Sequence, residues 1–229
     1  MDHAIIDNYR DLPIGVYLDI LTIQETEPDE FRRQALTIGA LAALNEQEVL
    51  ALPIDEYKRL RASAAFLSQP CPEDLLRISH TYTVGPWTLR PVLDYGKLTV
   101  AQYVDFQTFS KDRDHNLPQL LSVVLIPDGH TYNDGYDMAV LQEAIREEVG
   151  VADALALAAH FFASSSALTA SSLDYCRALA ARMENSPQKT EILEQITEAE
   201  RLLRRSGDGS LLWTPSRSSA TAPGRTSGR

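Results

Sequence analysis

The side chains here that could hold a metal, move a proton or attack a substrate are five histidines, two cysteines and 32 carboxylates. Metal sites take their ligands at short fixed spacings, such as HExxH or paired CxxC. His3, His80, His115, His130 and His160 show no such spacing, and Cys71 and Cys176 lie far apart. Two unpaired thiols in a reducing compartment are the expectation. The stretch 128–137, with Asp128, Asn133, Asp134 and Asp137, is rich in oxygen donors. A calcium loop needs a bidentate glutamate at its twelfth position. Counted from Asp128, that residue is Ala139. The segment therefore reads as a solvated loop with two turns, Pro127-Asp128-Gly129 and Asn133-Asp134-Gly135. Ser164, Ser165, Ser166, Ser171 and Ser172 offer hydroxyls, but no GxSxG elbow surrounds them. Their small side chains suit close helix packing instead. No phosphate-binding glycine loop is present, and the carboxylates are scattered. The residues predict no catalytic group, no metal and no cofactor, hence a protein that is not an enzyme.

Composition narrows the remaining classes. The chain has 229 residues, 44 % of them hydrophobic, and a formal net charge of −11. That is enough apolar content for a sizeable core. An acidic body without a basic, aromatic-interleaved stripe does not grip nucleic acid. The longest apolar-rich run, 149–163, is interrupted by Asp153 and His160 and falls short of the ~18 residues a membrane span needs. Residues 1–7 lack the basic and apolar regions of a signal peptide. The expectation is a soluble cytoplasmic protein, with no nucleic-acid or membrane partner.

The elements that would position any site follow from local patterns. Segment 12–20 aligns with 98–106, matching Leu12 with Leu98, Tyr17 with Tyr103 and Asp19 with Asp105. Each copy leads through a polar connector to a second apolar run (35–44 and 120–126) and then to a helical segment (55–67 and 153–163). Chance similarity of short amphipathic helices would give the same pattern. Thr99 with Gln102, and Asn45 with Glu48, have the spacing of capping boxes. Pro53 and Pro72 fit the first turns of helices. Between the copies, residues 80–84, Gly85-Pro86 and residues 87–92 read as a β-hairpin, with Pro91 placing the second strand at a sheet edge. Ser186 and Pro187 open a late helix with Ile192, Leu193, Ile196, Leu202 and Leu203 at helical spacing. From Ser206 onward Ser, Thr, Gly and Pro dominate, which predicts a disordered tail. The predicted fold is mainly α: a first helical unit (1–78), a hairpin connector (79–97), a similar second unit (98–185), a C-terminal helix (186–205) and the tail (206–229). Within the tail, Leu211, Leu212 and Trp213 form an apolar patch, either docked back on the body or presented to a partner.

The order of these pieces resembles a known family. It begins with Ile14-Gly15-Val16-Tyr17-Leu18-Asp19-Ile20, followed by the run from Leu36 through Asn45-Glu46-Gln47-Glu48 to Pro53-Ile54. After the hairpin come Leu98-Thr99-Val100-Ala101-Gln102-Tyr103-Val104-Asp105-Phe106, Leu120-Leu121-Ser122-Val123-Val124-Leu125-Ile126-Pro127 and Tyr132-Asn133-Asp134-Gly135-Tyr136-Asp137. Over roughly 12–163 the chain resembles tail assembly chaperones of tailed bacteriophages, through a pattern of helix starts and apolar runs rather than a catalytic signature. The resemblance implies a protein of the host cytoplasm that coats the long helical tape measure protein before the tail tube forms. Two helical units per chain would suit a repeating client through avidity, and self-association is compatible with it. The exposed faces of the late helix and Leu211, Leu212 and Trp213 would carry the partner contacts. A structural component of the virion and a cytosolic adaptor are the alternative readings.

Overall fold

The computed structural model describes residues 3–182 and, beyond them, Thr190, Leu193, Glu194, Thr197 and Glu198. These five are helical and exposed. The rest of the expected C-terminal helix and the 206–229 tail, including Leu211, Leu212 and Trp213, lie outside the described residues. Within them the fold is mostly helical with one small antiparallel sheet, as the sequence predicts.

The N-terminal helices form where local signals place them. α1 (Ile14–Thr26) follows Pro13, and α2 (Glu30–Ala42) is capped by Asp29, whose carboxylate accepts the Arg32 amide at 2.7 Å. α2 ends at Ala43, a left-handed residue, and the Leu44 amide donates to the Gly39 carbonyl at 2.9 Å. α3 (Glu46–Leu50) opens on the expected capping box: the Glu48 amide donates to Asn45 Oδ1 and the Asn45 amide to Glu48 Oε2. α4 (Ile54–Ser63) starts directly after Pro53, which is its capping residue, and continues as a 3-10 turn to Ser68. Ala35, Ile38, Val49 and Leu60 meet in a small core between α2, α3 and α4.

The hairpin is present, as β1 (Tyr82–Val84) and β2 (Trp87–Pro91). Its place in the sheet differs from expectation. β2 is the central strand, because residues Leu125–Pro127 pair along its other side as β3. Pro91 is tolerated there for a definite reason. The amides of Val92 and Asp128 donate to the carbonyls of Val124 and Thr88, so even-numbered β2 residues bond toward β3. The Pro91 nitrogen faces the other way, past the end of β1, where no ladder bond is required. The same finding corrects the apolar run 120–126: it is α6 (Leu117–Val124) passing directly into β3.

The second half also contains α5 (Val100–Phe109), α7 (Met138–Glu148) and α8 (Val151–Arg182). The Thr99–Gln102 capping box of α5 forms as predicted. α7 was not foreseen, although Asp137 caps it by accepting the amides of Ala139 and Val140. α8 runs well past the predicted 153–163.

One main core joins residues from both sides of the hairpin: Leu12, Ile14, Tyr17 and Ile20 pack in the same cluster as Leu120, Leu121, Leu141, Ile145, Leu157 and Phe161. Backbone bonds tie the halves directly, from the Ile14 amide to the Val149 carbonyl (3.0 Å) and from the Val151 amide to the Leu12 carbonyl (2.8 Å). Gly150 sits at this junction, where a Cβ would lie 2.7 Å from the Arg10 carbonyl oxygen. The two aligned segments do not share an environment. Tyr17 is buried between α1 and its neighbours, while Tyr103 is exposed. Asp19 pairs with Arg146, while Asp105 accepts from the Tyr132 hydroxyl. α1 packs on α2, α7 and α8, whereas α5 packs chiefly on α6. Local helix-forming similarity, rather than matched packing, is what the two segments have in common.

Candidate functional site

The polar residues singled out by sequence are largely engaged in holding local structure. In the 128–137 loop, Asp137 caps α7, Thr131 and Asp134 bridge one another, and the Tyr136 hydroxyl accepts from the Asn133 amide. Gly129 and Gly135 supply the positive φ angles of its turns. Among the described residues no group of three or more His, Cys, Asp or Glu is placed to hold a metal ion. His160 Nε2 lies 2.8 Å from the Leu93 carbonyl oxygen with its ring edge-on to Phe161. Ser165 Oγ lies 3.3 Å from the Tyr95 hydroxyl. The Cys71 thiol is buried and unpaired, and burial pushes its pKa up to about 11, which makes it a poor nucleophile at neutral pH. No helix among the described residues is long and apolar enough to cross a membrane.

Two charged constellations flank a groove of about 320 Å³ between α1, α6 and α7. Arg146 lies 3.2 Å from Asp19 and 3.5 Å from Glu143. His115 lies 3.0 Å from Asp112 and 3.2 Å from Glu25. Its hydrogen bond to Asp112 raises its pKa, helped by the Glu25 and Asp114 charges and opposed by burial. The charges neutralise one another across the elements, so the groove acts as a strap from α1 to α6 and α7. On α4, the Arg59 guanidinium and the His3 amide hold the Glu56 carboxyl down at about 2, fastening the N-terminal segment to this helix.

Several large apolar side chains of the described residues stand exposed. On α5, Gln102 and Phe106 face inward, and Gln102 is almost wholly buried. Its Nε2 donates to the Val123 carbonyl at 2.7 Å while its Oε1 accepts from the Thr99 amide and hydroxyl. That fixes the helix rotation and turns Val100, Tyr103 and Val104 outward, at 81, 47 and 53 % exposure. Their i, i+3, i+4 spacing makes them one face. Tyr95 packs edge-on against Tyr103 and Phe106 at the base of this face. A second exposed group lies on the N-terminal helices: Phe31 of α2, whose ring meets Tyr57 of α4 at 6.1 Å, and Ile54 one turn before Tyr57.

The sequence named none of these as contact residues. The signal was ambiguous, because Val100, Tyr103, Val104, Phe106 and Phe109 place apolar groups on more than one side of α5. Only the burial of Gln102 decides which side is free. The partner-binding residues expected from sequence, Leu211, Leu212 and Trp213, are outside the described residues. Comparison with protein-family models, with curated proteins and with solved structures finds no match for this chain.

Proposed function

We propose that this chain is a non-enzymatic assembly chaperone of the phage tail type, acting in the host cytoplasm to mask an elongated helical client, the tape measure protein, before the tail tube polymerises. The observation that carries this reading is the solvent-facing apolar stripe of Val100, Tyr103 and Val104 on α5. An amphipathic client helix docks on such a stripe through its own i, i+3, i+4 anchors. The Phe31–Ile54 group on the N-terminal helices offers a second contact, and two modest contacts per chain give avidity on a repeating client while leaving each one reversible. The net charge of −11 keeps coated complexes apart.

The test combines recovery from cells expressing the phage gene set with analysis of purified virions. Wild-type chain should retain one long coiled-coil-rich protein and be missing from virions. Val100→Asp with Val104→Asp should lower that recovery at least tenfold while leaving the melting temperature nearly unchanged, since both positions are solvent-exposed. Presence of this chain in virions, bound to tube or portal proteins, would make it a structural component instead. Recovery unaffected by the double substitution would remove α5 as the docking face.

A further inference from the structure

We propose that His115 is a protonation-controlled clasp on the end of α1: doubly protonated, it ties Glu25 to Asp112, and on losing one proton it lets Glu25 go. The clasp does not depend on the chaperone reading.

The contact geometry leads to this. His115 Nδ1 lies 3.0 Å from Asp112, and Nε2 lies 3.2 Å from Glu25. An ionised carboxylate only accepts hydrogen bonds. Two such contacts need a hydrogen on each ring nitrogen, and only the imidazolium carries both. A neutral ring keeps one N–H, and its other nitrogen presents a lone pair to a carboxylate. That contact then turns repulsive. Asp112 ends the 3-10 turn Ser110–Asp112, three residues before His115, whereas Glu25 belongs to a different element. The local partner keeps the hydrogen, so Glu25 is the one released.

The facing elements carry further charges. Asp114 is a third carboxylate acting on the ring, and it pairs with Arg113 at 3.1 Å. Across the groove that His115 lines, Arg146 of α7 is taken up by Asp19 at 3.2 Å and Glu143 at 3.5 Å. Carboxylates outnumber cations around the ring, which favours the closed, doubly protonated clasp when protons are available.

The place of Glu25 on α1 gives the clasp its consequence. The buried residues of α1 are Ile14, Tyr17, Ile20 and Leu21, all in its first two-thirds. That part is also held by the Ile14–Val149 backbone bond and by Asp19–Arg146, an aspartate–arginine pair with no histidine in it. Beyond Leu21, Ile23 and Gln24 are half-buried, while Thr22, Glu25 and Thr26 are exposed. Leu18 lines the groove, and Glu25 stands two turns further along the same helix face. His115 therefore pins the far end of the wall that α1 gives the groove. With Glu25 released, the side-chain tie left in that last turn is Gln24 to Thr37 of α2, at 3.3 Å.

Nuclear magnetic resonance of the full chain tests this. Long-range nitrogen–proton spectra of the imidazole read its tautomer. Below the His115 midpoint both ring nitrogens should be protonated, and above it the proton should remain on Nδ1. Retention on Nε2 overturns the proposal, because Glu25 would then stay bound. Glu25→Gln should lower the His115 midpoint by at least about 0.3 pH unit, the scale of an exposed charge pair. An unchanged midpoint also overturns it.

Amide exchange of Glu27, whose N–H donates to the Ile23 carbonyl at 3.0 Å, reads the end of α1. After correction for the intrinsic pH dependence of exchange, its protection should fall roughly two- to fivefold as pH rises through the midpoint. The fall should vanish in Glu25→Gln and in His115→Gln. Both side chains are at least partly exposed, so both variants should fold. Protection that ignores pH in the parent, or a fall that persists in either variant, overturns the clasp.

Discussion

At the scale of single residues, His115 is the side chain whose charge state matters most near neutral pH. It bridges Asp112, just before α6, and Glu25, near the end of α1. Its pKa is raised in the folded chain, so the bound proton stabilises the fold. That contribution is fully present below the ordinary histidine value of about 6.5 and is lost as pH rises through the folded value. Denaturant midpoints should therefore fall as pH rises above about 6.5 in the wild type, and His115→Gln should flatten this slope. An unchanged slope would show that Asp112 and Glu25 do not hold the proton. The effect is small because the imidazole is partly exposed.

At the scale of elements, Gln102 joins a helix start to a helix end. Its side chain completes the α5 capping box and donates to the last turn of α6, with almost no exposure to water. Replacing it by leucine keeps the bulk but strands the Thr99 amide and the Val123 carbonyl. Gln102→Leu should cost roughly 2–3 kcal/mol by equilibrium unfolding, and a change below about 0.5 kcal/mol would mean that water replaces the lost bonds. The capping role was legible, because Thr99 and Gln102 stand at the spacing that cap geometry demands. The burial was not, because it depends on α6 crossing α5 at that point. α7 and β3 were missed for related reasons. Val123-Val124-Leu125-Ile126 is a continuous apolar run that periodicity alone does not assign to helix or strand. Val123 and Val124 stay in α6, and the chain becomes a strand only from Leu125, where the free edge of β2 pairs with its backbone.

For the whole molecule, the decisive feature is the core shared across the hairpin. Leu12 and Ile14 enter it from the start of the chain and Val151, Leu157 and Phe161 from α8, with backbone bonds at the Leu12–Val151 and Ile14–Val149 junctions. A fragment of residues 1–97 lacks α7 and α8, against which α1 packs. Expressed alone, it should show no cooperative thermal transition, and co-expression with 98–229 should restore one, measured by circular dichroism. A sharp transition in the isolated fragment would show that the small core of Ala35, Ile38, Val49 and Leu60 suffices. The same packing leaves Val100, Tyr103 and Val104 of α5 facing solvent.

The sequence by itself determined the local features: the mainly helical class, the capping boxes at Asn45 and Thr99, the Gly85-Pro86 hairpin turn and the lack of metal-ligand spacing. Each depends on residues within a few positions of one another, where sterics and hydrogen bonding act without regard to the rest of the chain. Tertiary structure alone decided the central place of β2, the different fates of Tyr17 and Tyr103, and the exposure of Val100, Tyr103 and Val104. Those depend on which helix covers which face, and two segments with nearly the same local pattern satisfy it equally well on either side of a core.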